Sequence, residues 1–354
     1  MNDRLRVLQV GCGGISRLWL DALRDSPLAT VVGFVDLDAD RAAAAARRHA
    51  SSAPVGDDLR AMLAATRPDV VFDCTVPEAH RDVTTTALAA GCHVFGEKPM
   101  ADDWDAARAM VAAADAHGRT FAVMQNRRYD PSIRALRAFL AEGPIGRVTT
   151  VHADFFLAPH FGGFREAMRH VLLRDMAIHT FDGARFLSGE EPLAVTCTSW
   201  NPEGSWFAHG ASAVATFEMT GGVVFGYRGS WCAEGLPTAW ESQWRIVGTR
   251  GSVVWDGAES LRCEVVGGGG GLVRDHVAVP TPALRRSDMA SWHAAAIDAF
   301  MRAVRTGATP ETVGSDNLRS LEMVFAACES ADAQRRVALG RAWDLEGAAG
   351  AVPP

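Results

Sequence analysis

From residue 5 to residue 124, short apolar runs recur with longer mixed stretches between them. The runs at 5–10, 30–35, 70–74, 93–95 and 120–124 have the length of buried strands. The stretches 15–24, 39–49, 59–65, 78–90 and 104–116 carry apolar residues at helical spacing. Strands separated by helices of this length predict βαβ units and a parallel, doubly wound sheet. Gly91 and Gly118 stand where helix C-caps are expected, because glycine takes the left-handed conformation without a Cβ penalty.

After about residue 122 the pattern changes. A helix is predicted over 131–141, a strand over 148–156 and a second helix over 172–187. Strands then follow one another at 194–199, 212–219, 222–230, 244–248 and 252–255, and the segments 292–304 and 317–337 return to helical spacing. Consecutive strands without helices between them predict an antiparallel or mixed sheet, with an open face that a second subunit would cover. The glycine run 267–271 reads as a hairpin turn, since no Gly-Lys-Ser/Thr follows it as a P-loop requires. The expected fold is α/β. A doubly wound N-terminal domain would cover 1–122, and a C-terminal α/β domain with the antiparallel or mixed sheet would cover 123–354. The last helices of the second domain are free to pack back toward the first.

Composition narrows the class. Apolar residues make up 48% and charged residues 22%, as in ordinary globular chains. A net charge of −7 disfavours nucleic acid and anionic membrane surfaces as partners. The seven cysteines are scattered without a C-x-x-C pair, which argues against a disulfide framework or a zinc ribbon. The first strand begins almost at once, with no secretory leader before it, and no apolar run spans a bilayer. The expected setting is reducing and cytoplasmic.

Gly11-Cys12-Gly13-Gly14-Ile15-Ser16 leaves the first predicted strand and opens the first helix. Glycines there allow a sharp turn and let backbone approach a pyrophosphate, which the N–H groups of the helix terminus attract. Ser16 stands where a third glycine or alanine is usual. Asp36 ends the second strand, where a carboxylate accepts hydrogen bonds from both ribose hydroxyls and repels a 2′-phosphate. NAD is therefore favoured over NADP, although Arg41 and Arg47 lie near in sequence. Taken alone, Asp36 also suits a helix N-cap. Two further segments leave strands of the same sheet. They are Cys74-Thr75-Val76-Pro77-Glu78-Ala79-His80 and the stretch ending Gly96-Glu97-Lys98-Pro99-Met100, and loops at the carboxyl ends of such strands face the ligand.

At these residues the sequence resembles the glucose-fructose oxidoreductase, inositol dehydrogenase and MocA-like (Gfo/Idh/MocA) oxidoreductases. The resemblance rests on the Gly11–Ile15 loop, on Thr75-x-Pro77-x-x-His80, Ala90-Gly91-x-His93-Val94 and Glu97-Lys98-Pro99. It continues through Asn126-Arg127-Arg128, Gly143-Pro144-Ile145-Gly146 and Asp175-x-x-x-His179-x-x-Asp182, in that order and over nearly the whole chain. It implies an N-terminal Rossmann dinucleotide-binding domain, a C-terminal α/β domain with a large open, mainly antiparallel sheet, and an NAD-dependent dehydrogenase acting on a secondary hydroxyl of a sugar, sugar acid or cyclic polyol. Gly11, Gly13, Gly14, Ile15, Asp36, Thr75, Pro77, His80, Glu97, Lys98, Pro99 and Asn126 would bind the cofactor. Lys98, Asp175 and His179 would be catalytic, and Lys98, Arg128, Arg169, Asp175 and His179 would touch the substrate. A physical reading agrees for Lys98: beside the positive ring of an oxidised nicotinamide a lysine loses its proton more readily, and it can stabilise an alkoxide or pass a proton.

Asp175 and His179 are spaced i, i+4 in a helical stretch and so share a face, with Asp182 on the same side. A histidine can take a hydroxyl proton as hydride leaves the same carbon, while Asp175 holds a substrate hydroxyl or favours the imidazolium. The same spacing also fits a plain surface acid–imidazole pair. Relatives often carry Gly-Gly shortly before this Asp, whereas this chain has His170-Val171-Leu172-Leu173-Arg174, which leaves the substrate open. No metal is expected: His170, Asp175 and His179 lack the H-E-x-x-H spacing and a third strong ligand. Arg127, Arg128, Arg165, Arg169 and Arg174 suggest an acidic substrate such as a uronate or a sugar phosphate. Solvation of helix surfaces together with pyrophosphate binding explains them slightly better. Ten tryptophans are many for this length, and Trp200, Trp206, Trp231, Trp240, Trp244 and Trp255 all fall in the second domain, suited to sugar faces and more so to the sheet core and an interface. The expected assembly is a homodimer or homotetramer through the C-terminal sheet. Two alternatives remain: an NAD-dependent glycoside hydrolase working by transient oxidation and elimination, and a non-catalytic NAD-binding regulator.

Overall fold

Each short apolar run of the first third becomes a strand because both its faces are covered by helices. The computed structural model describes residues 4–24, 26–285 and 287–341. It gives β1 (Leu5–Val10), α1 (Ser16–Leu23), β2 (Ala29–Val35), α2 (Ala39–Arg48), β3 (Val55–Gly56), α3 (Leu59–Thr66), β4 (Val70–Asp73), α4 (Pro77–Ala89), β5 (His93–Gly96), α5 (Trp104–His117) and β6 (Phe121–Val123). The strands form one parallel sheet in the order β3-β2-β1-β4-β5-β6, the doubly wound arrangement the alternation predicts. Asp38, Asp58 and Asp103 cap α2, α3 and α5 by accepting from backbone N–H groups of the first turn. Gly118 closes α5 in the left-handed region, and Gly91, one residue past the C-cap Ala90 of α4, takes φ +84°.

A second sheet is built from β7 (Val148–Phe156), β8 (Pro192–Trp200), β9 (Ser212–Met219), β10 (Val224–Ser230), β11 (Gln243–Gly248), β12 (Gly251–Trp255), β13 (Leu261–Val266), β14 (His276–Val279) and β15 (Val337–Ala338). The order is β14-β13-β12-β11-β7-β10-β9-β8-β15. Every pairing is antiparallel except β7 with β10. Two helices belong with it, α6 (Pro131–Ala141) and α7 (Ile178–Ser188). Phe181 of α7 packs on Phe217 and Tyr227 at ring-centroid distances of 4.8 and 5.2 Å, which covers one face of the sheet. The other face carries exposed His152, Thr216, Arg228, Gln243 and Arg245 along a depression of about 590 Å³.

Two more helices complete the chain, α8 (Met289–Thr306) and α9 (Gly314–Ala333). α8 packs on α1: Trp292, Ile297, Phe300 and Met301 join Val7, Trp19, Phe72 and Phe95 in one buried cluster, with Phe300 stacked on Phe95 at 4.6 Å. The chain thus divides into two compact units. One holds the residues up to Tyr129 with Asp288–Leu318, and the other holds Asp130–Ser287 with the residues from Arg319 onward. Residues 342–354, the end of the expected second domain, lie outside the described residues.

Several expectations are corrected. β3, β13, β14 and β15 were absent from the sequence reading. The helix expected over 172–187 is two segments, a π-helical stretch Leu172–Ala177 followed by α7. Gly222 lies in a 3-10 turn rather than in β10. The glycine run follows β13 and leads to β14, and Gly267 N donates to Asp275 O across this hairpin at 2.7 Å. Among the described residues, no helix is long and apolar enough to cross a membrane.

Candidate active site

Because sheet one is parallel, the residues following β1, β2, β4, β5 and β6 gather along one edge. Gly11, Asp36, Thr75, Lys98 and Asn126 all follow these strand ends. Gly11 has φ +77°, and a Cβ there would stand 2.5 Å from the Cys74 carbonyl carbon and oxygen. Only glycine fits that turn. Gly13 and Gly14 have nothing within 4 Å of such a Cβ, so their backbone faces open space at the head of α1. Ile15 is the N-cap residue of α1, with no side-chain cap. The buried Ser16 donates to Gly13 O at 2.7 Å and so braces the loop. Asp36 accepts from Cys12 N at 2.7 Å and from Asp38 N at 3.0 Å, which ties its carboxylate to the glycine loop. Arg41 pairs with Asp38 at 3.2 Å.

The turn carrying Lys98 is held from several sides. Glu97 is buried, accepting from Trp19 Nε1 at 2.8 Å and from Lys98 N at 3.0 Å, and it lies 3.7 Å from His293 Nε2. Burial pushes its carboxyl up. The His293 imidazole, the Trp19 bond and the Lys98 charge outweigh that and hold it below the usual range. His80 is buried between two loops. Its Nδ1 lies 3.1 Å from Pro99 O and 3.3 Å from Met100 O, and its Nε2 lies 3.2 Å from Thr75 O. Pro77 starts α4, and Thr75 donates to the buried Asp73. The Lys98–Pro99 peptide is cis, and Lys98 itself is half-buried. Asn126 Nδ2 lies 3.4 Å from His293 Nδ1, and its buried Oδ1 has no hydrogen-bond donor among the described residues. These features fit a dinucleotide: open amides beside a helix N-terminus, a carboxylate at the end of β2 and a buried acceptor left for a ligand.

In the second unit, Asp175 lies in the π-helical stretch and His179 in the first turn of α7, where it is buried. Asp175 Oδ2 accepts from Arg165 Nε at 2.8 Å. Asp182 is engaged elsewhere: it accepts from Ser320 at 2.7 Å and lies 3.7 Å from Arg185. Of the arginines expected to meet an acidic substrate, Arg128, Arg165 and Arg169 each pair with a carboxylate of this chain. Arg128 is buried, pairs with Asp316 at 2.8 Å and donates to Glu311 O at 3.1 Å. Arg169 pairs with Asp332 at 2.9 Å on the surface. Sequence reasoning missed His293, whose partners Glu97 and Asn126 are remote in the chain. It also missed the Arg165–Asp175 pair, for which a spacing of ten residues gives no helical signal. Among the described residues, no cluster of three His, Cys, Asp or Glu side chains could hold a metal ion.

A parallel sheet of this order, with a glycine loop at its first strand and an acidic residue after its second, defines a Rossmann-type dinucleotide-binding protein. Residues 5–125 match the model of an oxidoreductase family with an NAD-binding Rossmann fold, and residues 133–254 match the GFO/IDH/MocA C-terminal domain. The chain belongs to the Gfo/Idh/MocA oxidoreductase family. It is 30% identical to D-apiose dehydrogenase of Paraburkholderia graminis over 347 residues, covering 95% of this chain and 90% of that one. It is 26% identical to inositol 2-dehydrogenase of Rhizobium meliloti over 345 residues, 93% of this chain and 98% of the relative. An oxidoreductase from Agrobacterium radiobacter, solved with NAD+, L-tartaric acid and magnesium, has the same fold. Its TM-score is 0.83 at 23% identity, over 95% of this chain and 98% of that one.

Proposed function

We propose that this protein is an NAD-dependent dehydrogenase acting on a secondary hydroxyl of a sugar, sugar acid or cyclic polyol. The observation that carries this reading is the shared sheet edge. There the glycine loop, the Asp36 carboxylate bonded to it and the Lys98 turn braced by Glu97 all follow strand ends. The full-length likeness to relatives named D-apiose dehydrogenase and inositol 2-dehydrogenase supports it.

In this reading Gly11, Gly13, Gly14 and Ile15 present backbone and the α1 terminus to the pyrophosphate. Asp36 accepts from the ribose hydroxyls, and with Arg41 neutralised by Asp38 the preference is NAD over NADP. Thr75, Pro77, His80, Glu97, Pro99 and Asn126 shape the rest of the cofactor site. When bound, the nicotinamide supplies the hydride acceptor. His179 takes the hydroxyl proton, and Lys98 stabilises the oxyanion that forms. Asp175 holds a substrate hydroxyl or favours the imidazolium of His179.

Cofactor binding is assigned to 1–122, and substrate recognition and assembly to 123–354. The open sheet face would join a homodimer or homotetramer. The seven cysteines, all free thiols, support a reducing, cytoplasmic setting. The test is a titration of NAD+ and NADP+ against wild type and Asp36→Ala. Wild type should bind NAD+ at least about tenfold more tightly than NADP+, and the variant should lose most of that difference. Equal affinity of the wild type for both cofactors would refute the assignment of Asp36.

A further inference from the structure

Three loops meet at one end of the second sheet, after β7, after β8 and after β10. They are laced together by backbone bonds: Leu157 N donates to Ser230 O, Ala233 N to Leu157 O and Ala208 N to Glu166 O. Their side chains are unusually aromatic. His160 stacks on Trp206 at 3.8 Å and lies 3.2 Å from Glu234, so one residue touches all three loops' contents. Phe161 lies 6.0 Å from Trp231 and 6.5 Å from Trp240. Yet Phe161, Phe164 and Trp240 remain 55%, 66% and 44% exposed. Large apolar rings left in water on converging loops mark a place where something apolar binds. The indole N–H groups of Trp206 and Trp231 are buried with no acceptor among the described residues.

Arg165 joins this cap to the proposed chemistry. Its guanidinium lies 5.3 Å from the centroid of Phe161 and 4.8 Å from that of Phe164, and its Nε donates to Asp175. A guanidinium can stack on rings and grip a carboxylate at once, as lysine cannot. We propose that the cap of Phe161, Phe164 and Trp240 is a subsite for a second ring attached to the reacting sugar, so that the preferred substrate is a glycoside. Arg165 is the positioning residue that fixes Asp175 beside it. This inference rests on the dehydrogenase reading. The second ring needs only a flat apolar face, which an aryl group or another pyranose supplies.

The test is calorimetric titration of NAD+-loaded protein with the phenyl and methyl β-glycosides of glucose and galactose, with cellobiose and lactose, and with the free sugars. Phenyl glycoside or disaccharide should bind about fivefold or more tightly than the methyl glycoside, an aryl preference and a sugar preference being told apart by which of them does so. Phe161→Ala and Phe164→Ala should abolish that difference while leaving methyl glycoside and free sugar unchanged. Both side chains are exposed, so both variants should fold. Arg165→Ala should lower kcat for methyl glycoside about tenfold or more with its KM unchanged, and Arg165→Lys should restore part of the loss. Equal binding of methyl and two-ring ligands, or no binding of any of them, would overturn the subsite. So would an equal effect of the Phe variants on every ligand. NADH formation from a free sugar or polyol in the same preparation would leave the dehydrogenase reading standing while the subsite fell. Two-ring selectivity in binding without NADH formation would do the reverse.

Discussion

Gly11 and Gly13 share one loop, but an added methyl group acts on them through different physics. At Gly11 the backbone has φ +77°, and a Cβ would stand 2.5 Å from the Cys74 carbonyl and 2.7 Å from Thr75 N. Those atoms cannot yield, because Cys74 N is bonded to Val10 O at the end of adjacent strands. The left-handed conformation costs an L residue about 1–2 kcal/mol, and forced overlap with fixed atoms costs about 1–3 kcal/mol more. Gly11→Ala should therefore lose roughly 2–5 kcal/mol and lower the melting of the first unit by roughly 5–15 °C. At Gly13 nothing lies within 4 Å. Gly13→Ala should melt like wild type, while its methyl occupies space that the pyrophosphate needs and raises the Kd for NAD+ by about tenfold or more. Melting by circular dichroism without cofactor and calorimetric titration of NAD+ separate the two effects. A Gly11→Ala variant that melted with wild type would refute the close approach. Wild-type NAD+ affinity in Gly13→Ala would refute the open cradle.

Glu97 is held below its ordinary range, so its stabilising contribution is present above the unfolded value of 4.5 and is lost as pH falls through the lower folded value. Urea denaturation between about pH 5 and pH 3 should show wild type losing stability more steeply than Glu97→Gln, and parallel slopes would refute the buried carboxylate. Burial, with Asp36 adding to it, pushes the Cys12 thiol up to about 12, and burial does the same to Cys197 and drives Cys74 well above its ordinary value. Iodoacetamide at about pH 8 should therefore leave these three unmodified in the native protein and alkylate them after unfolding, as mass spectrometry of tryptic peptides would read. Arg128→Ala removes a buried guanidinium that pairs with Asp316 and donates to Glu311 O, and should cost about 3 kcal/mol of stability by urea denaturation. A normal stability with a raised substrate KM would return Arg128 to direct substrate contact.

The legible parts of the fold carry their signals locally. β1 and the Gly11 loop combine a buried apolar run, glycines at fixed offsets and a helix start, and all of these lie within sixteen residues. β3 and β15 are two residues long, too short for any periodicity to register. β13 does alternate, with Leu261 and Cys263 buried and Arg262 and Glu264 exposed, but its charges disguise the inward face. β14 is exposed on both sides over most of its length, so no alternation exists to be read. The widened turns of Leu172–Ala177 depend on a hydrogen-bond pattern with no sequence period of its own. Long-range contacts account for the rest of the site. His293 meets Asn126 across 167 residues of chain, and the Arg128 guanidinium is claimed by Asp316 of α9. A basic residue near a motif is visible in sequence; the carboxylate that neutralises it is not.

Lys98 and His179 are proposed to handle the oxyanion and the proton of a hydroxyl from which hydride leaves. The most direct measurement is NADH formation by wild type, Lys98→Met and His179→Asn against a panel of cyclitols, aldoses, glycosides and sugar acids, each variant checked for NAD+ binding. Wild type should reduce NAD+ with at least one secondary alcohol. Each variant should lose about a hundredfold or more in kcat while still binding NAD+. Full-rate NADH formation by Lys98→Met would contradict it.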